Sequence, residues 1–138
     1  MKNVLLRIEG TQKSFDGEEN TIELVTEGKL YQKENALYLV YEESEISGLE
    51  GCTTTLKVSK DRVSMRRFGT AHSEIIFEKG RRFSTSYHTP YGDFRMEILT
   101  REMEANISDT NKGDITIEYN ISLQGMIESK NRLNIRIM

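Results

Sequence analysis

Apolar residues recur at every second position along nearly the whole chain, and this alternation constrains the fold more than any other feature. A period of two puts one side of an extended strand against a core and the other side in water. The first run is Val4, Leu6 and Ile8, followed by a longer one at Ile22, Leu24, Thr26, Gly28 and Leu30. Leu37, Leu39 and Tyr41 come next, then Thr54, Leu56 and Val58, then Val63, Met65 and Arg67. The second half continues with Ser73, Ile75 and Phe77, with Phe83, Thr85, Tyr87 and Thr89, and with Phe94, Met96, Ile98 and Thr100. Ile115, Ile117, Tyr119, Ile121 and Leu123 precede a last run at Leu133, Ile135 and Ile137. The pattern predicts about ten strands.

Turn chemistry separates the runs. Glu34-Asn35 and Lys60-Asp61 read as tight reversals, and Lys79-Gly80 and Asn111-Lys112-Gly113 supply glycine where φ must turn positive. Thr89-Pro90-Tyr91-Gly92 suits a type I turn and keeps the only proline between strands. Gly28, inside a long run, reads as a bulge or sharp bend. Leu99 to Ala105 is rich in helix formers and is taken as the end of a strand. Short links make consecutive strands antiparallel neighbours, and a long meander removes its exposed edges by closing on itself. The expected fold is therefore all-β: one domain over residues 1–138, a closed antiparallel up-and-down barrel of about eight to ten strands.

Composition narrows the partners. The 138 residues are 36% hydrophobic and 30% charged, a globular balance for one domain, and the net charge of −3 gives no general attraction to nucleic acid or anionic membrane. Val4-Leu5-Leu6 is too short for the apolar part of a signal peptide, and no stretch reaches the length of a membrane-spanning helix. A single cysteine, Cys52, rules out an internal disulfide. Together these features lead to the expectation of a cytoplasmic protein. Asn106-Ile107-Ser108 and Asn120-Ile121-Ser122 fit the glycosylation pattern and are read as chance.

The order of several short motifs resembles the YwiB-like family of bacterial calycin-like β-barrels. They are Glu27-Gly28, Tyr41-Glu42-Glu43-Ser44, Gly48-Leu49-Glu50-Gly51 running into Thr53-Thr54-Thr55-Leu56-Lys57, Arg67-Phe68-Gly69, Tyr87-His88-Thr89-Pro90-Tyr91-Gly92, Thr100 and Tyr119. The resemblance spans most of the chain and implies a lipocalin-like barrel. It implies no established activity and carries over no catalytic residue. The chain has no tryptophan, so it lacks the tryptophan that true lipocalins carry near the N-terminus.

In an up-and-down barrel, odd strands end at the rim where even strands begin. On the inward parity near that rim stand Tyr41, Glu43, Cys52, Thr54, Arg67, Ser73, Tyr87 and Thr89. The other half of the same parity is apolar: Leu37, Val58, Val63, Phe77, Phe83, Ile98 and Ile115. The interior is thus expected to be graded, oily at one end and polar at the other. Links at Lys13–Asn20, Ser44–Gly51, Phe68–His72 and Gln124–Glu128 crowd the polar rim, where ligand entry is usually controlled.

Arg67 and Glu43 form the sharpest pair. A charge pointing inward must be paired or must meet a ligand charge. One reading is a structural ion pair satisfied by Tyr41, Tyr87 and the threonines; the other is an arginine anchor for the carboxylate or phosphate of an amphipathic ligand. The candidate ligand-binding set is Arg67, Glu43, Tyr41, Thr54, Tyr87 and Thr89, with no catalytic residue, metal site or cofactor expected. His72 and His88 lack a companion cluster at metal-ligand spacing, and Cys52 reads as a small buried hydrophobe. Arg66-Arg67 and Arg81-Arg82 lie among acidic residues, which argues against a nucleic-acid patch. No phosphate-binding glycine loop or hydrolase signature is present. Leu5, Val25, Tyr31, Tyr38, Val40, Ile76 and Leu99 face outward, which leaves open a protein-interaction module, monomeric or homodimeric, with a filled core.

Overall fold

The computed structural model describes residues 1–14, 16–44, 50–70, 72–124 and 127–138, with backbone alone at 87–89 and 127. The described residues form ten strands: β1 (Lys2–Ser14), β2 (Glu19–Lys33), β3 (Ala36–Glu42), β4 (Thr53–Val58), β5 (Val63–Phe68), β6 (Ser73–Phe77), β7 (Arg82–Thr89), β8 (Gly92–Ile107), β9 (Gly113–Leu123) and β10 (Ile127–Ile137). Each pairs antiparallel with its chain neighbour except across one gap, and β10 returns to pair with β1 from Leu6↔Ile137 to Ser14↔Ser129. The sheet order is β6-β5-β4-β3-β2-β1-β10-β9-β8-β7. The all-β barrel is therefore nearly closed, with a seam where β6 and β7 form the two edges of the sheet.

The turns obey the chemistry of their residues. Glu34 and Asn35 both take positive φ, 51° and 67°, as a two-residue hairpin whose twist matches its strands requires. Gly80 and Gly113 take the positive φ that the sequence assigned to them. Gly28 is not a bulge: the ladder with β1 runs through it without a register shift, pairing it with Val4, and the ladder with β3 ends on it, at Tyr41. Its reason is space: a Cβ there would lie 2.7 Å from Leu6 Cδ1 and 3.0 Å from the Val40 carbonyl oxygen. The register shift lies instead in β8, between Thr100 and Glu102. Arg101 is the extra residue, and the ladder then sets Met103 against Ile117 and Ala105 against Ile115.

The inward parity meets inside the barrel as a hydrocarbon core. Leu6, Leu39, Leu56, Val63, Phe77, Ile98, Ile115, Ile117, Ile135 and Ile137 are all fully buried. Each such side chain stabilises the fold by roughly 1.5–3 kcal/mol relative to its exposed state, before the entropy of ordering is set against it. At the oily end β6 and β7 are joined by the short link of residues 78–81, which is tied to β8. Gly80 N–H donates to the Thr100 carbonyl at 2.8 Å, Thr100 N–H donates to the Arg81 carbonyl at 3.1 Å, and Lys79 pairs with Glu102 at 3.1 Å.

Candidate functional site

One row of the ladder carries the polar end of the interior. Gly28 pairs with Tyr41, Tyr41 with Thr54, Thr54 with Arg67 and Arg67 with Ser73, so these five residues follow one another around β2 to β6. The side chains of Tyr41, Thr54, Arg67 and Ser73 share the inner face with Gly28 because every step conserves the pleat. Just beyond β3, the Glu43 N–H donates to the Cys52 carbonyl at 2.9 Å, which holds that residue against the start of β4.

The geometry brings Tyr41, Glu43, Thr54 and Arg67 together. Arg67 Nε stands 3.5 Å from Glu43 Oε1, and Thr54 Oγ1 donates to the same oxygen at 2.6 Å. The Glu43 side chain is 4% exposed and that of Arg67 21%. Tyr41 lies within hydrogen-bonding reach of Thr54 and Glu43; burial pushes its phenol well up, the negative charge of Glu43 adds to this, and the positive charge of Arg67 opposes it. Tyr119 on the facing wall is likewise raised by burial and partly relieved by Arg67, so the guanidinium field crosses the barrel. The Tyr119 ring rests on Phe77 with centroids 4.9 Å apart. The Tyr87 and Thr89 side chains, the other two members of the expected set, lie outside the described residues, as does that of His88; their backbones pair with Phe94, Gly92 and Asp93 in turn.

Three buried polar atoms have no hydrogen-bond partner among the described residues: Arg67 Nε, Ser73 Oγ and Thr100 Oγ1. Buried polar groups are normally satisfied, so each such atom needs a reason. Two of the three belong to adjacent residues of the polar row, and both residues line a recess of about 300 Å³ at the seam, with Phe68, His72, Glu74, Thr85 and Ser86. Larger concavities exist: about 450 Å³ beside Lys13, Glu97, Asn120 and Lys130, and about 810 Å³ among the turns at the oily end. Neither is lined by any of the three residues that carry these atoms.

Sequence reasoning singled out Arg67 and Glu43 but left aside buried polar residues on the facing wall. Thr100 pairs with Tyr119, and Tyr119 with Asn131. Asn131 is buried and donates from Nδ2 to Ser129 Oγ at 3.0 Å. The signal was available, since Asn131 and Ser129 continue the inward parity of Ile137, Ile135 and Leu133. Cys52 is buried with Sγ 3.4 Å from Thr70 Oγ1, and His72 is exposed, edge-on to the Phe68 ring. No helix among the described residues is long and apolar enough to cross a membrane.

Comparison with known proteins agrees with this architecture. The chain is 30% identical over 107 residues to the uncharacterized β-barrel protein YwiB of Bacillus subtilis (strain 168), covering 77% of this chain and 72% of that protein. The crystal structure of the ywiB protein from Bacillus subtilis superposes with a TM-score of 0.82 at 24% identity, covering 99% of this chain and 92% of the other; at that identity the likeness speaks for the fold. A family model described as a domain of unknown function (DUF1934) matches residues 6–135. With nearly its whole length matched, the chain belongs to the DUF1934 family of β-barrel proteins.

Proposed function

We propose that this barrel is a non-enzymatic binding protein for a small amphipathic or anionic molecule, held at the polar end of the interior with Arg67 as its anchor. Glu43, Tyr41 and Thr54 fix the anchor; Tyr87 and Thr89, whose side chains lie outside the described residues, are the remaining candidates for the site. The observation that carries this reading is the incomplete satisfaction of Arg67: its buried Nε has no hydrogen-bond partner among the described residues, and the Glu43 carboxylate stands 3.5 Å away. Arginine–carboxylate pairs are frequently bidentate, with two parallel N–H···O bonds. The packed hydrocarbon core confines binding to the polar end rather than a through-going lumen.

The test is mass spectrometry of small molecules released on denaturing protein purified without refolding. An acidic compound retained by the wild type and lost from Arg67→Met is the expected result. Overturning it would take an empty wild type that is also not stabilised against heat by any fraction of a metabolite extract. A second reading, a protein-interaction module, draws on the outer face of β1 and β2, where Leu5 is 44% and Val25 52% exposed. Light scattering showing a dimer that dissociates on Val25→Glu is the result that would favour it.

A further inference from the structure

At its oily end the seam is closed by the short link of residues 78–81 between β6 and β7, which is tied to β8 by backbone hydrogen bonds and an ion pair. At its polar end it holds the recess of about 300 Å³, at the small end of the range for ligand pockets. From these observations we infer that the recess is a carboxylate-binding site, entered from the side of the barrel between β6 and β7, with Arg67 and Ser73 as its two donors. This rests on the reading of Arg67 as an anchor and adds a second binding residue, a ligand class and a route.

Ser73 is the independent observation. It is 7% exposed, its hydroxyl has no partner among the described residues, and it lines the recess. Arg67 and Ser73 are direct cross-strand neighbours, so their side chains leave the sheet about 5 Å apart on one face. From neighbouring bases on one face, two such donors can converge on the two oxygens of a carboxylate. A phosphate brings further oxygens that find no donor, and a second negative charge close to the nearly buried Glu43. A neutral amide offers one acceptor and turns its own donors toward donors. The lip is already balanced, because Arg66 and Glu74 pair across it at 3.1 Å. Thr85 and Ser86 of β7 form the opposite side of the opening.

The experiment is an amide NMR titration of the full chain with sodium butyrate, butyramide and inorganic phosphate. Butyrate should shift the amides of Arg67, Ser73 and Thr85 saturably, and the other two probes should bind at least tenfold more weakly. Ser73→Ala and Arg67→Lys should each weaken butyrate about tenfold while the remaining spectrum is retained. Ser86→Trp, which narrows the opening without touching either donor, should slow exchange of butyrate. Equal binding of phosphate, or full butyrate affinity in Ser73→Ala, overturns the carboxylate site. Unchanged exchange in Ser86→Trp overturns the lateral route. Shifts confined to Tyr41, Glu43 and Thr54 overturn the seam site while the broader reading stands. No shift from any probe, together with a native protein that carries no small molecule, overturns both.

Discussion

Arg67 and Glu43 face each other inside the barrel without closing a hydrogen bond. Their nearest atoms are 3.5 Å apart, and the carboxylate oxygen between them already accepts the Thr54 hydroxyl at 2.6 Å. The carboxylate is thus better satisfied than the cation. Charge balance holds the pair together, and hydrogen bonding is concentrated on the acid.

This asymmetry predicts unequal mutants. Arg67→Met leaves a nearly buried carboxylate without its countercharge and should cost on the order of 2 kcal/mol, below the cost of a fully desolvated pair because Arg67 remains one-fifth exposed. Glu43→Gln keeps an acceptor for Thr54 and should cost about 1 kcal/mol. The double variant should recover about 1 kcal/mol of the summed loss. Urea unfolding of the four proteins closes the cycle, and a coupling near zero would show that the two charges do not stabilise one another.

Gly28 gives a second prediction, sharpened by a control in the neighbouring strand. A methyl at Gly28 meets Leu6 Cδ1 at 2.7 Å and the backbone oxygen of Val40 at 3.0 Å; at Gly10 it meets nothing within 4 Å. Gly28→Ala should therefore destabilise by about 1–3 kcal/mol. Gly10→Ala should be neutral or stabilise by up to about 1 kcal/mol, because it restricts the unfolded chain at no steric cost. Equal denaturation midpoints for the two variants would refute the packing account of Gly28.

The strands were legible because alternation is a local property, and the polar row was legible because parity propagates through a regular ladder. Tyr41, Thr54 and Arg67 meet for the reason the sequence suggests: each lies near the same rim on the inward parity. Three features were not legible. The need for glycine at position 28 arises from Leu6 of β1 and Val40 of β3, which flank it on either side of β2 and are far from it in sequence. The Leu99–Ala105 stretch looked ambiguous because its residues favour helices, and the bulge at Arg101 interrupts the strand period there. The seam is a consequence of how far β6 and β7 splay, and no residue type encodes it. Without the seam, Ser73 looks like one more small polar residue at a rim.

Phe77 offers a test of how tightly the oily half is filled. It is fully buried and supports the Tyr119 ring at 4.9 Å between centroids. Phe77→Ala removes a large side chain from the centre of the core and should cost about 3–5 kcal/mol, with Phe77→Leu costing less than half of that. Thermal and urea unfolding measure both. A loss under 1 kcal/mol for the alanine variant would show that this end of the barrel is loosely packed.

The two raised phenols make stability depend on alkaline pH. Tyrosine ordinarily ionises near pH 10, and burial pushes Tyr41 and Tyr119 above that value in the fold, with Glu43 adding to the effect at Tyr41 and Arg67 opposing it at both. The folded state therefore holds these protons more tightly than the unfolded chain. Their contribution is fully present below pH 10 and is lost as pH rises from 10 toward the raised values, because the unfolded state alone gains by ionising. Each proton adds up to about 1.4 kcal/mol of lost stability per pH unit in that window. Tyr41→Phe should remove about half of the combined slope above pH 10, after the same correction for lysine ionisation in both proteins. Absorbance at the tyrosinate band should show fewer than all six tyrosines titrating before unfolding, with the remainder appearing together as the barrel opens. Full titration of all six in the folded protein would mean that water already reaches the polar row.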